Sequence, residues 1–195
     1  MPHTRRLMKI NEIFYSLQGE GHYTGTPAVF VRFAGCNLKC SFCDTDFTSF
    51  TEMTEDDIVR ETGQYPTNHI VITGGEPTLQ ITASLVSKLH DAGKYVQIET
   101  NGTNVLPEGC NIDWVTCSPK YKAVRLQHID ELKVVFEGQD MSQYDCLTAT
   151  EYRLQPCDTQ DEEKNKEILR QTIDFILKNP KWKLSLQTHK ILNVR

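Results

Sequence analysis

Pro27-Ala28-Val29-Phe30-Val31-Arg32-Phe33 runs through Ala34 into Gly35-Cys36-Asn37-Leu38-Lys39-Cys40-Ser41-Phe42-Cys43-Asp44-Thr45. An apolar, β-branched run thus opens directly onto a loop carrying three cysteines, and the run is predicted as a strand. The cysteines are separated by three and then by two residues. Thiolates are soft ligands suited to iron–sulfur clusters, and gaps this short let one loop wrap three corners of a cubane. The fourth iron would then lack a protein ligand, an open position able to bind a substrate or cofactor. The alternative is a structural zinc site completed by Cys110, Cys117, Cys146, Cys157 or a histidine. Zinc, however, usually takes cysteines in pairs two to four residues apart.

Outward from this segment, residues 69–73, 95–99, 113–117, 131–136, 151–154 and 183–186 are predicted as further strands. Helical periodicity occupies residues 79–92, with Leu85, Val86 and Leu89 as an apolar stripe before Gly93. The charge run 161–167 leads into Ile168, Leu169, Thr172, Ile173, Ile176 and Leu177 at helical spacing, and Asn179-Pro180 ends that helix. Thr54 with Asp57 three positions on opens a short third helix. Strands alternating with helices imply an α/β fold whose parallel sheet is covered by helices. The connections 99–113 and 117–131 are near the minimum length for a parallel return. The expected architecture is therefore a partial, open (β/α) barrel of parallel strands with some outer helices reduced or missing, forming one catalytic domain over residues 1–195. A closed eight-stranded barrel typically takes about 200–250 residues or more.

Composition narrows the function class. With 38% hydrophobic and 24% charged residues the chain resembles an average globular protein. A net charge of −5 argues against a broad nucleic-acid footprint and for a small-molecule partner. No apolar run approaches the roughly 18 residues of a membrane span, and the opening residues lack the apolar stretch of a secretory signal, so a cytoplasmic location is expected. Seven unevenly spaced cysteines do not form an extracellular disulfide pattern.

The strand ends carry the remaining chemistry. Gly74-Gly75-Glu76-Pro77 follows one strand, where glycines permit close backbone approach to a ligand and Glu76 offers an acceptor for an ammonium group. Glu99-Thr100-Asn101-Gly102, Ser118-Pro119-Lys120 and Gln155-Pro156-Cys157-Asp158 follow others. Parallel sheets and barrels bind ligands at the carboxyl ends of their strands, so these loops should converge on one cavity. Alternation places Arg32 on one face with Phe30, where it is either surface-exposed or turned inward to grip a substrate carboxylate.

The cysteine spacing, with Phe42 just before the third cysteine, resembles the motif of the radical S-adenosylmethionine superfamily. That resemblance implies that Cys36, Cys40 and Cys43 hold a 4Fe-4S cluster. The amino and carboxylate groups of S-adenosylmethionine would chelate its unique iron, and an electron through the cluster would release a 5′-deoxyadenosyl radical. It also implies that the Gly-Gly-Glu-Pro loop cradles the methionine amino group.

A narrower resemblance runs through Phe14-Tyr15-Ser16-Leu17-Gln18-Gly19-Glu20-Gly21, Arg32, Cys43-Asp44-Thr45, Thr73 to Pro77, Ile98-Glu99-Thr100, Ser118-Pro119-Lys120, Leu154-Gln155-Pro156 and Leu186-Gln187-Thr188-His189-Lys190. These stretches are similar to the 7-carboxy-7-deazaguanine synthase family. The family implies a radical lyase that converts 6-carboxytetrahydropterin into 7-carboxy-7-deazaguanine with loss of ammonia and regenerates S-adenosylmethionine. By that resemblance Leu17, Gln18, Gly19, Arg32, Thr73, Gln155, Pro156, Cys157 and Asp158 surround the pterin, and Phe42, Asp44, Gly75, Ser118, Pro119 and Lys120 surround S-adenosylmethionine. It further implies Mg2+ held in part by Thr45, a reductant such as flavodoxin or ferredoxin, and a homodimer. Residues 138–150 show no motif of the family, and Cys157-Asp158 departs from its usual residues.

Two other readings share some of these features. A glycyl-radical-enzyme activase has the same cysteine spacing and glycine loop but needs an open groove for a protein. A non-enzymatic iron–sulfur electron carrier would use the cluster alone.

Overall fold

The computed structural model describes residues 6–43, 45–46 and 48–194. Nine strands form one sheet in the order β3-β1-β2-β4-β5-β6-β7-β8-β9. They are β1 Met8–Leu17, β2 Pro27–Phe33, β3 Thr51–Met53, β4 His69–Gly74, β5 Tyr95–Thr100, β6 Trp114–Cys117, β7 Glu131–Phe136, β8 Glu151–Pro156 and β9 Trp182–Leu184. From β2 through β9, skipping β3, every neighbour is parallel and follows in chain order, so the crossovers wind one way and the sheet curls instead of spreading on both sides. The result is the open, partial α/β barrel expected from the sequence. β1 is antiparallel to β2 and to β3.

Side chains on the parallel strands divide by parity. Val29, Val31, Phe33, Ile70, Ile72, Val96, Ile98 and Val115 point outward into a core with Ile58, Leu85, Val86 and Leu89 of the helices. A second outer core joins Cys117, Leu132, Val134, Phe136 and Leu154 to Phe175 and Ile176. The intervening residues, among them Arg32, Thr73, Glu99, Lys133 and Gln155, point inward and are largely polar. Strand periodicity thus builds an apolar shell around a hydrophilic lumen. A bulge between Ile10 and Glu12 switches faces within β1: Met8 and Ile10 join the outer core, whereas Phe14 packs inside with Phe30.

Three helices cover the outside. α1 (Glu55–Thr62) starts on the Thr54–Asp57 capping box, α2 (Ala83–Asp91) on Thr82, and α3 (Glu162–Lys178) on Asp161; α4 (Thr188–Leu192) closes the described chain. α2 begins four residues later than predicted. The reason is Gln80, whose side chain accepts from Lys9 N and donates to Ala34 O, fixing the segment before Thr82. On α3, Ile168 and Thr172 are buried, but Ile173 and Leu177 of the expected stripe are 41% and 77% exposed. Among the described residues no helix occupies the connections β5–β6 or β6–β7, as their lengths suggested. After β7 only a 3-10 turn, Met141–Tyr144, stands in for a helix, seating Met141 and Tyr144 in the second core.

The loop between β1 and β2 plugs the amino-terminal mouth of the barrel. His22 stacks on Trp114 at 4.5 Å, and Tyr23 shares a 2.7 Å hydrogen bond with Tyr95 while packing edge-on to His69. These partners begin β4, β5 and β6, and His22 N donates to Glu131 at the start of β7. The same loop spans the sheet opening: Thr188 donates to Gly19 O from N at 2.9 Å and from Oγ1 at 2.8 Å. No helix is long and apolar enough to cross a membrane among the described residues.

Candidate active site

With one mouth plugged, the lumen opens at the carboxyl ends of the strands as a cavity of about 810 Å³. Cys36, Cys40 and Cys43 line it from the loop after β2, together with Phe42 and Thr45. Leu38 N donates to Cys36 Sγ and Cys43 N to Cys40 O, so the loop wraps around its own thiols. Burial, with Glu76 and the two neighbouring cysteines, pushes the Cys36 thiol up. Metal coordination would reverse that by replacing the proton. The donor set, three free thiols beside a cavity with room for a further ligand, fits an iron–sulfur cluster held at three irons.

The zinc alternative finds no assembled ligand set. Cys110 and Cys117 are buried in the two outer cores, where desolvation raises their thiols to about 11 and about 12. Cys146 is exposed; Cys157 lines the cavity. Among the described residues no three histidine, cysteine or carboxylate side chains are placed to hold a single metal ion.

The glycine loop differs from its sequence reading. Glu76 is fully buried, and its carboxylate accepts from Thr78 N, Thr78 Oγ1, Thr100 Oγ1 and Asn101 N at 3.0, 2.5, 2.7 and 2.8 Å. It is not an ammonium acceptor in the cavity but a clamp joining the ends of β4 and β5. The close approach at Gly75 is to protein as well: a Cβ there would lie 2.1 Å from Gly35 O, and Glu76 N donates to that same oxygen at 2.9 Å. The glycine loop therefore supports the cysteine loop from beneath.

Of the other residues singled out in the sequence, Leu17, Gln18, Gly19, Arg32, Thr73, Gly75, Ser118, Lys120, Gln155, Pro156, Cys157 and Asp158 all line the cavity. Pro119 is buried behind Ser118 and Lys120, and Asp44 lies outside the described residues. Arg32 is turned inward, not outward: Nε donates to Glu12 at 2.9 Å and Nη1 lies 3.5 Å from Thr45 Oγ1. Lys120 sits over the Phe42 ring and donates to Ser118 Oγ; burial pulls its pKa down. Asp158 is held at about 2, chiefly by Lys190, which reaches over from α4.

The sequence reading missed the charged floor of this cavity. Lys133 Nζ donates to Glu20 at 2.6 Å and to Glu99 at 3.3 Å, and Gln18 and Gln187 complete the set by bonding Glu99 and Glu20. Burial works against the Glu20 carboxylate, but the charge and hydrogen bond of Lys133 overcome it and hold the pKa at about 2. Burial likewise opposes the Lys133 ammonium, and Glu20 and Glu99 raise its pKa above the ordinary value. Both groups are therefore ionised. His189 joins the wall by packing on Gly19, where a Cβ would come within 2.2 Å of Nδ1. The one local signal for Lys133 is a lysine at an inward position between Leu132 and Val134.

Comparison with known proteins bears on this arrangement. Residues 30–120 match the family model of the radical SAM superfamily. A 7-carboxy-7-deazaguanine synthase from Bacteroides thetaiotaomicron is 56% identical over 97% of this chain and 100% of its own length. A protein of the same name from Burkholderia multivorans is 40% identical over 95% of this chain and 98% of its own. The crystal structure of QueE from Escherichia coli superimposes with a TM-score of 0.77 at 28% identity, covering 92% of this chain and 93% of that one.

Proposed function

The chain belongs to the 7-carboxy-7-deazaguanine synthase family of radical S-adenosylmethionine enzymes, and from that premise we propose how its residues convert 6-carboxytetrahydropterin into 7-carboxy-7-deazaguanine with loss of ammonia. The observation that carries this reading is the joining, in one closed-bottomed cavity, of three cysteines with an inward arginine and a floor of carboxylates bonded to Lys133. Cys36, Cys40 and Cys43 would hold a 4Fe-4S cluster, which with S-adenosylmethionine would supply hydrogen-atom abstraction. Every other task falls to the protein. The plug closes the amino-terminal mouth and leaves a pocket entered only from the carboxyl ends of the strands, which favours a small substrate over the protein partner of an activase.

Arg32, anchored by Glu12, presents its remaining guanidinium edge to the pterin carboxylate. Glu20 and Glu99, both hydrogen-bonded to Lys133, have lone pairs for the N–H groups of the pterin ring, and Gln18 and Gln155 fix its orientation beside Leu17, Gly19, Thr73, Pro156, Cys157 and Asp158. Phe42, Asp44, Gly75, Ser118, Pro119 and Lys120 form the S-adenosylmethionine side. Thr45, whose hydroxyl lies beside Arg32 on the cavity wall, would help to hold Mg2+, a hard cation suited to oxygen donors that would offset the charge of the substrate carboxylate. Chelation of divalent cations should then lower turnover while leaving bound iron unchanged, with Mg2+ restoring it; Thr45→Val should weaken the response to Mg2+.

The working enzyme is a cytoplasmic single-domain homodimer reduced by an electron-transfer protein. Exposed Leu177 and Ile191, at 77% and 72%, supply apolar surface for a subunit contact, which sedimentation can test. The function itself is tested by anaerobic release of ammonia from 6-carboxytetrahydropterin. Reconstituted protein should release it, and the triple variant C36A/C40A/C43A should not; release by that variant would refute the reading.

A further inference from the structure

We propose that Ser185 is the positioning residue that makes this cavity select a ring carbonyl over a ring amine, by holding the Gln155 amide with its NH2 group toward the substrate. This rests on the reading above that the cavity takes a pterin.

The hydrogen-bond order begins at a donor whose sense is fixed. Gly21 N is a backbone amide that can only donate, and it donates to Ser185 Oγ at 3.0 Å. That peptide is pinned from the other side. Gly21 has φ +70° and a Cβ position 2.2 Å from Glu131 Oε1, and His22 N donates to Oε2 of the same carboxylate at 2.7 Å. Ser185 itself is 3% exposed, directly after β9, and its own N donates to Leu154 O at 2.9 Å. Its hydroxyl, accepting from Gly21, donates its single hydrogen to Gln155 Oε1 at 2.9 Å.

Gln155 is buried at the cavity wall. With Oε1 tied to Ser185, its Nε2 has no protein partner among the described residues and is directed to the cavity. Gln18 differs, since both ends of its amide are engaged: Oε1 accepts from Glu20 N at 3.1 Å and Nε2 donates to Glu99 at 2.9 Å. Turning the Gln155 amide over would leave the Ser185 hydroxyl hydrogen without its acceptor in a buried place, which is costly.

Beside this donor stands an acceptor. Glu20 immediately precedes Gly21, so its carboxylate and the Gln155 NH2 group are joined through one peptide and the Ser185 hydroxyl. The Glu20 oxygens accept from Lys133 and Gln187, and each retains a second lone pair. A neighbouring acceptor and donor read a lactam edge, where a ring N–H adjoins a C=O. A pterin carries that edge at its ring N3 and C4. A 4-amino ring reverses it, setting a lone pair against the carboxylate and NH2 against NH2. Sites built to hydrogen-bond one edge reject the other because their own buried groups go unpaired.

The experiment titrates the cluster-loaded protein, with S-adenosylmethionine, against two oxidised analogues, 6-carboxypterin and 2,4-diaminopteridine-6-carboxylate. Anaerobic calorimetry near neutral pH, where both rings are uncharged, gives the ratio of their affinities. Wild type should favour the 4-oxo compound by about a hundredfold, and S185A should cut that preference by about tenfold. Iron content and affinity for S-adenosylmethionine should stay as in wild type. Q155M should lose at least as much preference, and S185A/Q155M no more than Q155M, because Ser185 acts only through that amide. A preference kept in S185A, even with lowered stability, would overturn the proposal, as would losses that add in the double variant. Failure of the underlying reading is distinguishable: wild type would then bind neither compound, and the proposal would fall with it.

Discussion

Lys133 and Glu20 meet inside the barrel at 2.6 Å, with only 4% and 17% of their side chains exposed. The contact links an inward position of β7 to the loop that plugs the barrel, so the charged floor of the cavity also ties the fold together. A buried ion pair stabilises less by its formation than it costs by its disruption, because a remaining partner is left charged and unpaired.

Lys133→Met should therefore destabilise the protein by about 3–5 kcal/mol in urea unfolding. Pairing it with Glu20→Gln should recover part of the loss. Equal stability of K133M and wild type would contradict a structural role for the pair.

The same contact sets an acid limit. Glu20 has its carboxyl depressed from an ordinary 4.5 to about 2 in the folded state. Its contribution is present above about 4.5 and is lost as pH falls through about 2. Wild-type stability should fall across that window, and Glu20→Gln should flatten the fall there. Parallel curves for the two proteins would show that Glu20 is not the group responsible.

Glu76 separates two roles that the sequence could not. As a clamp accepting four hydrogen bonds, its loss in Glu76→Ala should cost about 2–4 kcal/mol of stability, with Glu76→Gln losing less. If it instead received the ammonium of S-adenosylmethionine, Glu76→Gln would weaken cofactor affinity at unchanged stability.

Gly75 and Gly35 should respond differently to alanine. At Gly75 a Cβ meets the Gly35 carbonyl at 2.1 Å, so Gly75→Ala should displace the cysteine loop and lower iron content after reconstitution. At Gly35, with φ +85°, nothing lies within 4 Å, and Gly35→Ala should cost only about 1 kcal/mol of backbone strain while retaining iron. Iron retained in G75A would mean that the two loops do not support one another.

Much of the fold was readable because its signals are local. The three cysteines lie within eight residues, and the parallel strands announce themselves by alternation; the short connections after Glu99 and Cys117 correctly removed outer helices. β1 was missed because its bulge at Ile10–Glu12 breaks the alternation by which a strand is recognised. The plug is a meeting of His22 and Tyr23 with residues 69, 95 and 114, which no local pattern encodes. Glu76 was misread for a related reason: a glutamate among glycines at a strand end looks free until Thr100 and Asn101, some 25 residues on, bond its carboxylate and bury it. Lys133 looked like any strand lysine until the curl of the sheet turned it inward.

Arg32 tests the substrate side of the cavity. Arg32→Ala should raise the KM for 6-carboxytetrahydropterin by about a hundredfold, as expected for loss of a charge-assisted contact of about 2–3 kcal/mol. Arg32→Lys should recover only part of that, since an ammonium cannot hold both Glu12 and a carboxylate in the same fork. An unchanged KM would remove Arg32 from carboxylate recognition.

The most direct measurement is mass spectrometry of the products formed anaerobically by the reconstituted protein with 6-carboxytetrahydropterin, S-adenosylmethionine, Mg2+ and a reductant. The expected result is 7-carboxy-7-deazaguanine over many turnovers without matching accumulation of 5′-deoxyadenosine, the outcome required if S-adenosylmethionine is regenerated. Accumulation of 5′-deoxyadenosine with the pterin unchanged would contradict the assignment of this cavity to pterin ring contraction.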